Sequence, residues 1–377
     1  MRYILRRLTA ALLGAGLVML TCSCSVLPAV SPSASDNPAP GASADAESFG
    51  IPNLESRYFL SQLSGSELEF CRLAYAGLME LGEDIDVSAA KISFDRADEL
   101  IQALFDDCPE LYMCGSDYTL VGISSVSSLR FNYRMTRDEY LSAGRQTAAL
   151  IARWREVTDG MDDYSRELYV HDAICGGCTY SESSALGDTA CGALLDGEAF
   201  CQGYAKAFQL VMQNLGFRCL FVSSESLVHS WNLIELDGSF YQVDLTWDDS
   251  GDRQTYAYFN LSDADMEKLE HVYDRSELLN YPLCPSSELS YYAVNGLYIS
   301  SGEDVRSAFT AQLDRVYASG GGRIMLMFEE SSQLDELIAG QSEWISDWSA
   351  NGPDRVSFSR LIPYNNSFVY IAEFSFS

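Results

Sequence analysis

Three residues in the middle of the chain, Cys201, His229 and Asp244, have the types and spacing that nucleophilic attack on a carbonyl carbon requires. After Cys201 the apolar positions Ala205, Phe208, Val211, Met212 and Leu215 recur at helical spacing, and Gly216 stands where a helix would end in the left-handed conformation. The pattern predicts that Cys201 opens a helix of about four turns. The unpaired N–H groups and positive dipole end of a helix start favour a thiolate over a thiol, and the thiolate is the nucleophile. Gly203, in the first turn, leaves room for a substrate backbone.

Two strand-like runs, 229–236 and 239–246, flank Asp237-Gly238, the dipeptide of a two-residue hairpin turn. With Leu236 opposite Ser239, His229 falls opposite Thr246, and Asp244 falls opposite Trp231 on the same side of the sheet as His229. The pair are then diagonal neighbours, roughly 7–8 Å apart at the backbone, within reach of an imidazole–carboxylate hydrogen bond. A slip of one residue would put them on opposite faces. In this arrangement Cys201 attacks, His229 takes the thiol proton and returns it to the leaving group, and Asp244 holds the useful imidazole tautomer. The Cys201 N–H is one candidate oxyanion donor; Tyr180 or Gln202 is the candidate for a second.

These blocks, CQGYAKAF from Cys201, HSWN from His229 and YQVDLTWDD from Tyr241, resemble the core of the transglutaminase-like superfamily, related in fold to the papain-like cysteine peptidases. The resemblance implies a Cys201–His229–Asp244 triad in that chain order. It also implies an α+β core in which a nucleophile helix packs on an antiparallel sheet. HDAICGGCTY (171–180) is similar to the helix and strand that precede the nucleophile in bacterial members, which puts His171-Asp172 on that helix for structural reasons. YFNLSDADMEKLEH (258–271) is similar to the segment that follows the core. The superfamily contains amide hydrolases, acyl transferases and members that have lost activity, so the resemblance leaves the substrate open.

Around this centre the 377 residues provide for two or three domains. Residues 1–24 read as an export signal: Arg2, Arg6 and Arg7, then an apolar run over 8–21, with no acidic residue before Asp36. The run is short for a membrane span. It ends in a segment resembling a lipobox, with Cys24 (or Cys22) as the lipidated residue; plain secretion is the alternative. Residues 25–53, rich in Ser, Ala, Pro, Gly and Asp, form a flexible tether. The region 54–160 reads as mainly helical and accessory, with helices over 66–81, 93–107 and 136–158, a Thr136/Glu139 capping box, and strands over 118–123 and 129–134.

The catalytic core spans 161–285, and 286–377 reads as a small α/β domain. Its expected elements are strand 291–299, helix 303–318, strand 323–329, helix 332–349 and strands 355–362 and 368–376.

With 24 basic against 54 acidic residues, the formal charge of −30 excludes nucleic acid and anionic headgroups as partners. The expected partner is a peptide, protein or cell-wall peptide substrate, and the membrane is engaged through the lipid anchor alone. Of 11 cysteines, eight outside the signal and the nucleophile could pair, with Cys108–Cys114 a local candidate. No metal or cofactor is expected. His171, Cys175, Cys178 and Cys191 lack zinc spacing, and Asp248, Asp249 and Asp252 lack the calcium-loop pattern, while His271 reads as a structural or exposed residue of a polar helix. The functional expectation is a cell-envelope thiol enzyme attacking amide bonds through an acyl-enzyme, a cysteine peptidase. The alternatives are a protein-glutamine acyltransferase and a catalytically silent envelope binding module.

Overall fold

A computed structural model describes residues 54–251, 254–276, 279–350, 353, 355–363 and 365–377, and the backbone of Arg2–Arg7, which runs antiparallel to the first hairpin strand. The rest of the segment read as an export signal and tether, with Cys22 and Cys24, lies outside the described residues. The fold is α+β.

Helices α1 (Gly65–Met79) and α2 (Phe94–Asp107) are followed by a hairpin of β1 (Cys114–Gly122) and β2 (Val126–Tyr133), then α3 (Arg137–Val157). Ser93 caps α2, and Thr136 with Glu139 forms the capping box that starts α3. The hairpin is longer than its sequence signal. At its tight end Gly122 is obligatory, because a Cβ there would stand 2.0 Å from the Ser125 carbonyl oxygen.

Helix α4 (Asp163–Gly177), capped by Asp162, leads to β3 (Thr179–Tyr180), which pairs in parallel with β4 (Glu198–Ala199). Helix α5 (Cys201–Asn214) follows immediately. It closes as its sequence demands: Gly216 has φ +99°, the Gly216 N–H donates to the Gln213 carbonyl, and the Phe217 N–H donates to the Met212 carbonyl at 3.0 Å.

The antiparallel meander β5 (Cys219–Ser224), β6 (His229–Leu236) and β7 (Ser239–Val243) packs against α5. Leu236 pairs with Ser239 and Asn232 with Val243, the register read from Asp237-Gly238, whose φ values of +50° and +81° suit a primed turn. Both faces of the sheet are covered. Ile234, Leu236, Tyr241 and Val243 join Phe208, Val211 and Ile174 in one apolar cluster. Leu220, Trp231, Leu233 and Phe240 join a second, which runs from Phe59 and Leu100 to Met327 and Ile371. The N-terminal and C-terminal regions therefore share a core with the central sheet.

Two short helices, α6 (Leu245–Asp248) and α7 (Asp263–Lys268), follow the meander. Residues 291–299 do not form the expected strand. Ser290 caps a helical turn, α8 (Tyr291–Val294), Gly296 turns at φ +64°, and only Tyr298–Ile299 (β8) is extended. The remainder comprises α9 (Val305–Ala318), β9 (Gly322–Phe328), α10 (Ser331–Ser349), β10 (Val356–Leu361) and β11 (Val369–Phe376). Its sheet has the order β8-β9-β11-β10. One face packs under α9 and α10 through Phe309, Leu313, Leu326, Leu337 and Phe374; the other gives Met325, Met327 and Ile371 to the shared cluster. No helix among the described residues is long and apolar enough to cross a membrane.

Candidate active site

Cys201 is the first residue of α5 and is partly exposed. Phe200 precedes it in extended conformation, its N–H tied to the Gly187 carbonyl at 3.0 Å, and no side chain caps the helix start. The Cys201 N–H therefore has no intrahelical partner and stands where an oxyanion could be met. Gly203 corrects an expectation. A Cβ there would come within 2.2 Å of the Gly187 carbonyl oxygen, so the chain's own loop, rather than a substrate, requires glycine.

His229 opens β6 and is buried. Its Nε2 lies 2.6 Å from Asp244 Oδ2, as the hairpin register anticipates. The strand, however, ends one residue sooner than expected, at Val243. Asp244 is the N-cap of α6, its Oδ1 accepting from the N–H groups of Thr246 (3.0 Å) and Trp247 (3.2 Å). Thr246 therefore lies on a helix and does not face His229. The imidazole is stacked near-parallel to Trp247, ring centroids 4.8 Å apart, and to Trp231 at 5.8 Å.

The Cys201 side chain lies close enough to the His229 ring to influence its charge. Because Nε2 is engaged by Asp244, Nδ1 is the nitrogen left for the sulfur. Burial pulls the His229 pKa down, but the Asp244 charge and hydrogen bond, with Cys201, raise it to about 10. Burial in turn pushes Asp244 up, and His229, helped by a contact from His271, holds it below the usual carboxylate range.

The contact from His271 has no counterpart in the sequence reading. Rather than lying on a polar helix, His271 follows the end of α7: Glu270 adopts φ +56°, and the His271 N–H returns to the Met266 carbonyl at 2.9 Å. That turn carries the side chain inward, where it is fully buried against Trp231 (centroids 4.0 Å) and Trp247 (4.1 Å). Its Nε2 lies 3.2 Å from Asp244 Oδ2. Burial holds His271 below the ordinary imidazole range, opposed by Asp244 and reinforced by the His229 charge.

Among the described residues, His229, Asp244 and His271 form the group whose potential metal-ligand atoms converge, all within 4.8 Å of one another. The 2.6 Å separation of Nε2 and Oδ2 is that of a short, charge-assisted hydrogen bond. Two ligands at about 2.0–2.2 Å from a tetrahedral zinc ion would stand roughly 3.3 Å or more apart. The arrangement suits proton transfer better than metal binding.

The two oxyanion candidates are placed differently. Gln202 is in the first turn of α5, partly buried beside Cys201. Tyr180 is half-exposed on β3, opposite Ala199, with its hydroxyl turned to Glu182 at 3.5 Å.

The other motif residues are occupied in holding the fold. His171, fully buried on α4, has Nδ1 3.1 Å from Asp172 and Nε2 3.2 Å from Asp248. Burial lowers its pKa, yet the two carboxylates raise it to about 9. Asp248 also accepts from Thr255 Oγ1 and the Tyr258 N–H, and Asp249 from Tyr204 Oη at 2.7 Å and the Gly251 N–H, while Asp252 lies outside the described residues. The nine described cysteines are free thiols, Cys108 and Cys114 included, so the local bridge considered from spacing is not formed.

No family model matches the chain, and no curated protein matches it. Solved structures match parts of it, among them the following two. One, described as a candidate cysteine protease from Cytophaga hutchinsonii, is 17% identical over 27% of this chain and 38% of its own, with a TM-score of 0.24. The other, described as a TGase, is 12% identical over 51% of this chain and 54% of its own, with a TM-score of 0.28. The chain thus spans about half or less of the length of these two matches.

Proposed function

We propose that the chain is a thiol enzyme that cleaves amide bonds in peptides or proteins, a cysteine peptidase. One observation carries the reading: a partly exposed cysteine at an uncapped helix start neighbours a buried histidine whose far nitrogen lies 2.6 Å from a buried carboxylate. Cys201 Sγ, its proton passed to His229 Nδ1, forms a bond to the amide carbonyl carbon, and the Cys201 N–H meets the developing oxyanion. The C–N bond breaks as His229 returns the proton to the leaving amine. Water, deprotonated by His229, then attacks the thioester carbon, releasing the carboxylic acid and restoring the thiol. Asp244 stabilises the imidazolium present during each transfer.

Hydrolysis is preferred to acyl transfer because a partly exposed sulfur meets water in great excess. The acidic surface supports peptide substrates bearing basic residues and opposes nucleic acid. The leader-like sequence of 1–24, with Cys24 or Cys22 as its lipidated residue, supports a site of action at the cell envelope and a protein or cell-wall peptide as target.

The test is the rate of iodoacetamide alkylation at Cys201 against pH, read by peptide mass spectrometry, in the parent and in His229→Ala. The parent should stay reactive well below pH ~8.5, where ordinary thiols lose reactivity, and the variant should lose that advantage. Identical, ordinary profiles in the two proteins would remove the enzyme reading. A peptide library with and without an added primary amine then separates hydrolysis from acyl transfer by product mass.

A further inference from the structure

Two imidazoles approach the same carboxylate oxygen. His229 Nε2 is 2.6 Å from Asp244 Oδ2, and His271 Nε2 is 3.2 Å from it. The proposed reaction uses His229 and leaves His271 without a task. Yet His271 is fully buried, and neither of its ring nitrogens has a formed hydrogen bond. Its Nε2 stands at bonding distance from Oδ2 but off the line of a good bond. A buried imidazole left unpartnered is costly, and Oδ2 is the carboxylate oxygen within its reach. The rings of Trp231, Trp247 and Tyr258 surround the imidazole and limit the positions open to it. On the other side of the carboxylate, Oδ1 is already fixed by two backbone N–H groups.

We propose that His271 is a positioning residue for the Cys201–His229–Asp244 triad, its Nε2–H donating to Asp244 Oδ2 and holding that oxygen in line with His229. The inference rests on the thiol chemistry proposed above. Burial keeps the His271 ring in its neutral form near pH 7, so it supplies a donor without a second cation competing with His229 for the carboxylate charge.

The test uses the full chain with His271→Phe, which fills the aromatic nest without a donor, and His271→Gln, whose amide restores one. Two quantities are read: the rate of iodoacetamide alkylation at Cys201 near pH 7, and the far-downfield proton resonance of the His229 N–H shared with Asp244. The Phe variant should react roughly tenfold more slowly and lose or shift the resonance, while Gln should recover both. A folded Phe variant that matches the parent in both readouts overturns the inference. Should the variants not fold, nitrogen NMR of the parent decides, because a His271 ring protonated at Nδ1 rather than Nε2 also overturns it. These failures differ from failure of the thiol-enzyme reading, in which Cys201 of the parent itself alkylates as an ordinary thiol.

Discussion

Asp244 serves with both oxygens, capping α6 through Oδ1 and meeting His229 through Oδ2, and two substitutions separate these roles. Asparagine keeps an oxygen for the cap and removes the charge. In Asp244→Asn the burial that lowers the His229 pKa is left unopposed by a carboxylate, so its value should fall from about 10 toward or below the ordinary imidazole range. An NMR titration of the His229 ring measures this directly. Alkylation of Cys201 near pH 6 should slow by up to roughly tenfold for each pK unit lost. Asp244→Ala removes the cap as well and should unfold at lower urea than the asparagine variant, by about 0.5–2 kcal/mol. If alanine and asparagine are equally stable, the cap contributes nothing and Asp244 acts through His229 alone.

Helix α5 has two buried faces, and they differ in how far sequence alone discloses them. The apolar face was legible because periodicity reports it, as Asp237-Gly238 reported the hairpin register; both signals are local. The opposite face carries Lys206, Gln209 and Gln213, whose polar side chains suggest solvent. They instead satisfy the last turn of α2: Lys206 Nζ donates to the Phe105 carbonyl at 2.5 Å, Gln209 to that of Asp106 at 2.6 Å, and Gln213 to that of Asp107 at 3.3 Å. Arg57, itself paired with Glu110, donates to Gln213 Oε1 at 2.9 Å. Partners a hundred or more residues away leave no trace in local spacing. His271 escaped notice similarly, since a left-handed Glu270 carries none of the glycine signal that marks most helix ends. A consequence follows for the element: Gln213→Leu removes one hydrogen bond each from Arg57 and from the Asp107 and Cys219 carbonyls, all of which keep another partner, and should lower the unfolding free energy by about 1–3 kcal/mol. An unchanged urea midpoint would mean that water replaces the amide, and that the N-terminal region is not keyed to the nucleophile helix in this way.

At the scale of the whole molecule, the buried titratable groups lean in one direction. Burial raises Asp106 to about 6, Asp107 to about 7 and Glu167 to about 8, while carboxylate neighbours overcome burial to raise His171 to about 9 and His229 to about 10. Each binds its proton more tightly folded than unfolded. Each therefore contributes stability that is complete below its unfolded pKa and is lost as the pH climbs through its folded value. Asp244 and Asp265 act oppositely: burial raises both, but His229 and His271 for the one, and Ser287, Lys268 and Ser262 for the other, bring them below the ordinary range. Their contribution is lost in acid. The balance places the highest Tm at about pH 5, with a steady decline toward pH 9. The formal charge of −30 adds self-repulsion in the same sense, but salt screens that part and leaves the buried part. Thermal unfolding from pH 4 to 9, in low and high salt, should show a decline that salt reduces without abolishing. Glu167 supplies a control. Its Oε2 accepts from Asn260 Nδ2 at 2.7 Å, a bond glutamine can keep, so Glu167→Gln should flatten the profile between about pH 4.5 and about pH 8 and raise Tm at pH 9. A variant whose profile stays parallel to the parent's would show Glu167 ionised within the fold, and the alkaline loss would then have to come from the histidines and surface repulsion.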